Sequence, residues 1–203
     1  PRITGLNASS YLSPSQIVAK DKQPIYKKHF PKVGAYTLSS VAPNFSVGNG
    51  WMLCRFVCAT LPTAGASQYP MTIHSGSSAN QMGFRLNSGA TYGNAVSLIY
   101  NVASAGKAVE NGQFEIAANE IKTAIFVWRD DGYQYLIVDD GYEDSTQTGA
   151  RAWSATTLQI GGRNGGSDAL NGSVLYVEVG NTYLTMEEAA ARLATIPKGV
   201  VIA

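Results

Sequence analysis

Any nucleophilic, metal or acid–base site in this chain has to be assembled from a small stock of side chains. There are two cysteines, two histidines and 14 Asp plus Glu. Cys54 and Cys58 both fall in WMLCRFVCAT, an apolar run that reads as a strand. Four residues along a strand separate the Cα atoms by roughly 13 Å, whereas a disulfide needs about 7 Å or less. A Cx3C pair without neighbouring histidines is also a poor zinc set, so two buried free thiols are expected. His29 and His74 are far apart in sequence, and neither is expected to act as a ligand. No Gly-x-Ser-x-Gly elbow is present, and no Walker loop. The run Gly161-Gly162-Arg163-Asn164-Gly165-Gly166 is rich in glycine, but no helix follows it whose N-terminus would hold an anion. A tight loop between strands is its expected role.

The elements that must position these residues are mostly strands. A chain of 203 residues with 45% apolar and 14% charged residues suits one large all-β domain. Trp51–Thr60 is apolar on both faces, with Met52, Cys54, Phe56 and Cys58 one way and Trp51, Leu53 and Val57 the other. That predicts a central strand, interrupted only by Arg55. Further strands are predicted at Met71–His74, Met82–Leu86 and Val96–Asn101, separated by turn clusters. Lys122–Arg129 and Tyr133–Asp139 flank Asp131-Gly132, which predicts a hairpin closed by a two-residue type I′ loop, both central residues at positive φ. Ala124, Phe126 and Trp128 share one face of it, Ile125 and Val127 the other. Thr185 with Glu188 forms a capping box for a helix from Met186 to about Thr195. Met186, Ala189, Ala190 and Leu193 make its apolar face, and Pro197 stops it. Residues 1–34 differ from the rest, with Pro14, Pro24, Pro31 and a basic cluster at Lys27, Lys28 and His29. They are expected to be an extended N-terminal arm that docks onto a neighbour or lies on a sheet edge, ahead of a domain at 35–203.

From Leu158 to Leu193 the chain reads LQIGGRNGGSDALNGSVLYVEVGNTYLTMEEAAARL: a strand, a glycine-rich loop, an Asn-Gly turn, a second strand and one capped helix. With the Asp-Gly hairpin before it, this order resembles the concanavalin A-like (laminin-G-like) lectin/glucanase superfamily over roughly residues 40–195. The resemblance implies a two-sheet antiparallel jelly-roll sandwich with one short C-terminal helix. Glycosidases of that superfamily carry a Glu-x-Asp-x-Glu strand, which presents nucleophile and acid/base on one face about 5 Å apart. No glutamate here has acidic residues at both i+2 and i+4, so no enzyme is expected. Its lectins and laminin-G modules bind calcium or sugar on rim loops through Asp, Asn and backbone carbonyls. The matching positions are Asp139, Asp140 and Asp168 for calcium, with Arg163, Asn164 and Asp168 in the glycine-rich loop for a ligand. Lectins also use flat aromatic rings against sugars. Of Trp128, Tyr133, Tyr135, Tyr142 and Trp153, the two expected to face outward are Tyr142 and Trp153, beside and within the Ser/Thr/Gly-rich EDSTQTGARAW.

A net charge of +1 gives no electrostatic case for nucleic acid, which needs a basic patch. No run of ~18 apolar residues predicts membrane insertion, and the first twenty residues lack the pattern of a secretory signal. Pro1 reads as a start left after Met removal, which implies a protein made in the host cytoplasm. With reduced cysteines, no catalytic set and a docking arm, the expectation is a structural or adhesion protein of a virus particle. A bacteriophage head-decoration or tail/fibre component fits, localised to the virion, with other virion proteins, further copies of itself and cell-surface glycan as partners. The alternative is a soluble carbohydrate-binding lectin module.

Overall fold

The computed structural model describes residues 26–28, 34–37, 45, 47–87, 94–103, 105–106, 114–146, 153–164 and 168–196. Its strands are β1 (Tyr26–Lys28), β2 (Gly34–Thr37), β3 (Gly50–Cys58), β4 (Ser67–His74), β5 (Gln81–Asn87), β6 (Ala95–Val102), β7 (Ala105–Gly106), β8 (Ile121–Trp128), β9 (Tyr133–Val138), β10 (Gly141–Thr146), β11 (Thr157–Ile160) and β12 (Gly172–Gly180), followed by helix α1 (Met186–Thr195). They form two six-stranded sheets, ordered β1-β12-β3-β8-β9-β10 and β2-β11-β4-β5-β6-β7. Every strand pairing is antiparallel. Among the described residues this is the two-sheet sandwich that the strand spacing predicts, in the jelly-roll form with a short C-terminal helix that the family resemblance implies. Of the expected arm, residues 1–25 and 29–33 lie outside the described residues. Tyr26–Lys28 pair with Val177–Val179 at the edge of the first sheet.

The period-2 pattern of β3 sorts its side chains between two cores, as predicted. Met52, Cys54, Phe56 and Cys58 join Ala124, Phe126 and Trp128 of β8 in the core between the sheets, opposite Met71, Ile73, Phe84 and Leu98. Trp51 and Leu53 face the other way, into a second core with Ile125, Val127, Tyr135, Ile137 and the helix residues Ala189 and Leu193. β3 is hydrogen-bonded on both edges, by β12 and β8, and its two faces are covered by the second sheet and by the helix. Both thiols are free and buried, as expected, and burial pushes the Cys54 pKa well up.

β12 carries one irregularity with large effect. Its register against β3 slips between Val174 and Tyr176, so Leu175 is an extra residue, a β-bulge. Val174, Val177 and Val179 face the core between the sheets, while Tyr176 faces the helix. Glu178 is fully buried. One carboxylate oxygen accepts from Arg192 Nη1 of α1 at 2.9 Å, and the other accepts from the Tyr176 hydroxyl. The Arg192 guanidinium also lies 4.4 Å from the Trp51 ring centroid, a cation–π contact in a dry setting.

This anchor corrects the predicted face of α1. The capping box is present: Thr185 N–H donates to Glu188 Oε2 at 2.8 Å, and Glu188 N–H to Thr185 Oγ1 at 3.3 Å. The buried stripe, however, is Ala189, Arg192 and Leu193, and Met186 is 46% exposed. With Arg192 paired to Glu178, Met186 and Ala190 fall outside the buried stripe, at the side of the helix.

The hairpin loop also differs from expectation. Arg129 and Tyr133 face each other, Arg129 N–H donating to Tyr133 O at 2.9 Å and Gly132 N–H to Arg129 O at 3.1 Å. The loop therefore has three residues, and only Gly132 has positive φ (95°); Asp131 need not adopt that conformation in a type I turn ending in a left-handed residue. The tight two-residue loop is the next one, Asp139-Asp140 between β9 and β10.

On the outer face of the second sheet, His74 is 3% exposed and accepts the Gly76 N–H on Nδ1 at 3.0 Å. Burial holds its pKa below the ordinary 6.5. The neutral form is favoured on folding, so its contribution to stability is complete above about pH 6.5 and is lost as pH falls through the lower folded value. The melting temperature is expected to drop between pH 7 and 5, and to drop less in His74→Asn. Thermal scans of both proteins across that range check this; equal slopes would remove His74 as a cause.

Candidate functional site

Among the described residues, the large apolar side chains left exposed are Ile121 (37%) and Met186 (46%). Both border one groove, a cavity of about 700 Å3 between α1 and the outer face of the first sheet. Its floor follows from strand register. Arg55 pairs with Thr123, and Thr123 exchanges bonds with Asp139: Asp139 N–H to Thr123 O at 2.8 Å and Thr123 N–H to Asp139 Oδ1 at 3.0 Å. One row across β3, β8 and the end of β9 therefore reads Arg55, Thr123, Asp139. The next row outward pairs Ile137 with Tyr142. A second hollow of about 410 Å3, lined by Phe114, Glu115 and Lys122 among others, lies beyond the same Asp139–Tyr142 segment.

Charges at the groove and at the hollow beside it are compensated. Lys122 Nζ lies 2.7 Å from Glu120 and 3.3 Å from Asp139. Burial works to lower the Lys122 pKa, but its bonds to these two carboxylates outweigh that and leave it raised. Arg55 is 7% exposed; burial lowers its pKa, with Asp139 pulling the other way. Tyr142 is half-buried, and its hydroxyl is 3.1 Å from that of Tyr133, which donates to Asp144 Oδ2 at 3.2 Å. Burial first, and the Tyr133 bond second, push the Tyr142 pKa up. The Tyr135 ring lies 5.9 Å from that of Tyr142 and 6.3 Å from that of Tyr183. Arg129 stacks over Tyr133 and Tyr183 at 5.1 and 5.2 Å. The result is an aromatic surface with hydroxyl, carboxylate and guanidinium groups at its edge, next to a groove with a polar floor.

The candidate residues from the sequence divide. Asp139, Asp140 and Tyr142 come together as the shared wall of the two hollows. Tyr142 gets there on a strand, since Gly141–Thr146 form β10 rather than a loop; residues 147–152 lie outside the described set. Arg163 and Asp168 are elsewhere, bonded to each other at 2.6 Å. Arg163 stacks on Tyr69 at 5.3 Å, and Asp168 O accepts the Tyr69 N–H at 3.2 Å. That clasp holds Arg163 and Asp168 against Tyr69 of β4; Asn164 follows Arg163, and residues 165–167 lie outside the described set. Trp153, expected to face outward, is 9% exposed and packs in the core between the sheets. No group of three His, Cys, Asp or Glu among the described residues converges as a metal site, so Asp139, Asp140 and Asp168 are not gathered around one ion. Asp139 and Asp168 do share a conformational reason for being aspartate: φ is 54° and 50°, a region that Asp tolerates better than most residues.

The sequence reading missed Arg55, Thr123 and Met186. Arg55 had a signal, as the one charge in a strand apolar on both faces. No helix among the described residues is long and apolar enough to cross a membrane.

No protein-family model matches the chain, and no curated protein matches its sequence. Solved structures do match. The CBM40 carbohydrate-binding module of a Ruminococcus gnavus IT-sialidase, bound to alpha2,3 sialyllactose, overlays 84% of this chain and 99% of its own, with a TM-score of 0.65 at 12% identity. The NanB sialidase of Streptococcus pneumoniae overlays 86% of this chain with a TM-score of 0.65 at 12% identity, and the match spans 28% of that enzyme. Domain 4 of AbnA, an arabinanase of Geobacillus stearothermophilus in complex with arabinotriose, overlays 72% of this chain and 66% of its own, with a TM-score of 0.57 at 13% identity. The chain thus shares a lectin-like β-sandwich fold with carbohydrate-binding modules.

Proposed function

We propose that this chain is a non-catalytic glycan-binding module of the concanavalin A-like kind, and that it binds on the outer face of the first sheet. The observation that carries this reading is the overlay on nearly the whole of a free-standing carbohydrate-binding module. The face has the parts the task needs. Tyr133 and Tyr142 supply rings for the apolar faces of sugars, while Asp139, Asp140 and Asp144 supply acceptors for hydroxyl groups. The neighbours favour this second of the two functions anticipated from the sequence and lend no support to a virion role. If the chain is carried on a virus particle, in several copies and beside other virion proteins, the same face would do the binding.

Sialyllactose is the first ligand to test, since the Ruminococcus module was solved with it. Calorimetric titration with alpha2,3 and alpha2,6 sialyllactose is expected to give saturable binding. Tyr142→Ala is expected to weaken it roughly tenfold or more, the loss typical of a buried aromatic contact, with little change in stability. No saturable binding to either compound, or to any sugar on a glycan array, would end the proposal.

A further inference from the structure

Asn49, Asn111, Asn164 and Asn171 are each followed by glycine. Such a pair can react with itself. The backbone nitrogen of the glycine attacks the side-chain amide carbon of the asparagine, and glycine has no Cβ to block the approach. Gly112 and Gly165 lie outside the described residues, which leaves two pairs to compare, Asn49-Gly50 and Asn171-Gly172.

The first pair is held. Gly50 is buried, packed so that a Cβ there would meet the Trp128 ring at 2.6 Å and Gly180 O at 2.7 Å. The Asn49 side chain is fixed as well, its Oδ1 accepting the Asp130 N–H at 3.2 Å. Asn171 and Gly172, by contrast, are both exposed. Asn171 is hydrogen-bonded through its backbone alone: its N–H donates to Gln68 Oε1 at 2.7 Å, and its carbonyl accepts from Ala59 and Thr60 at 2.7 and 3.3 Å. Its side-chain amide is therefore free to turn. The attacking nitrogen is open too. Ala59 bonds to Asn171, so the adjoining pair of Gly172 with Cys58 is a non-hydrogen-bonded one, whose N–H groups point away from the partner strand. On that other side of β12, β1 covers Val177–Val179 and stops short of Gly172.

We infer that Asn171 is a site of spontaneous covalent modification, converting to aspartate and isoaspartate through a succinimide. Gly172 N bonds to Asn171 Cγ, the Cγ–Nδ2 bond breaks, and the proton lost from Gly172 N leaves with the amide as ammonia. Water then opens the five-membered ring at either carbonyl. No other reactant is needed. The fold requires the glycine that makes this possible, since a Cβ at residue 172 would lie 2.9 Å from Cys58 Cα and closer still to Val57 O. The backbone bonds of Asn171 to Gln68, Ala59 and Thr60 act as the brake, because the residue must rotate about its own Cα–C bond to bring Gly172 N to Cγ. Isoaspartate inserts one methylene into the main chain at the point where β12 enters its ladder with β3.

Peptide mapping of the intact chain after incubation in mildly alkaline buffer tests this. In the folded protein Asn171 is expected to convert at least about tenfold faster than Asn49, the scale of penalty for a reacting pair held out of position. In urea, with the fold gone, the two should convert at similar rates. Gln68→Ala removes part of the brake and should speed conversion at Asn171 severalfold while leaving Asn49 unchanged. Asn171→Gln should abolish the products in that peptide. Equal rates at Asn49 and Asn171 in the folded protein would overturn the inference. So would an Asn171 that reacts in urea and is inert when folded, since its backbone bonds would then hold it shut. Products that persist in Asn171→Gln would overturn it by placing the reaction at another residue.

Discussion

Arg192→Met is expected to lower stability by about 3–5 kcal/mol, because it leaves Glu178 charged and buried without its partner. Methionine keeps most of the aliphatic packing of the arginine stem, so the loss reports on charge more than on volume. Arg192 bonds Glu178 at 2.9 Å and stacks on Trp51, and together these contacts hold α1 against the first sheet. The double variant Arg192→Met, Glu178→Leu should recover about half of the loss or more. An apolar pair of similar volume can match or exceed a buried ion pair, although the Tyr176 hydroxyl then lacks its acceptor, at a cost of about 1–3 kcal/mol. Urea denaturation of the three proteins decides the matter. A double variant as unstable as the single one would mean that the pairing is not what matters. Limited proteolysis adds a second readout, since a released helix should be cut near residues 185–196 while the sandwich remains folded.

Phe126→Ala should be equally costly and different in character. Phe126 is fully buried between the sheets and stacks on Trp128 at a centroid distance of 5.1 Å. Phe→Ala changes at such sites typically cost about 3–5 kcal/mol, through lost transfer free energy and the cavity left behind. For a domain of this size that is a fall in melting temperature of roughly 6–20 °C. Both sheets contribute to that core, so unfolding should stay cooperative, with no early cleavage at the helix. A loss under about 1 kcal/mol would show that the space collapses and that the two sheets are less tightly keyed than their contacts suggest.

The two variants also separate what could be read from the sequence from what could not. The alternation in β3 and β8 is local, so the split of Met52, Cys54 and Phe56 from Trp51 and Leu53 between two cores was predictable before any pairing was known. The capping box at Thr185 and Glu188 is local too, and the helix begins where expected. The orientation of α1 is not local. It depends on a bond between residues fourteen apart in sequence, on two different elements, and no short-range pattern announces that. The apolar pattern of the helix includes Met186 and Ala190, which instead border the groove, and leaves out Arg192, which is buried. Trp153 was misjudged for a related reason, since the polar sequence around it says nothing of where its own ring points. Asp139, Asp140 and Tyr142 were named as separate candidates in a turn and a loop; only the pairing of β8, β9 and β10 brings them to one wall.

The slip at Leu175 has a further meaning for comparing this chain with others. Strand side chains alternate, so one inserted residue exchanges inside for outside for everything after it. In β12 that exchange sends Tyr176 and Glu178 to the helix side and Val177 and Val179 to the interior. A relative lacking this residue would pair in plain alternation and, at the same aligned columns, keep the tyrosine and the carboxylate on the helix side. A strand that kept the residue in the ladder without the bulge would instead direct the carboxylate between the sheets, and would have to change those residues or anchor its helix by other means. A single gap at position 175 in an alignment is therefore compatible with the same helix anchor, whereas loss of the bulge with the residue retained is not.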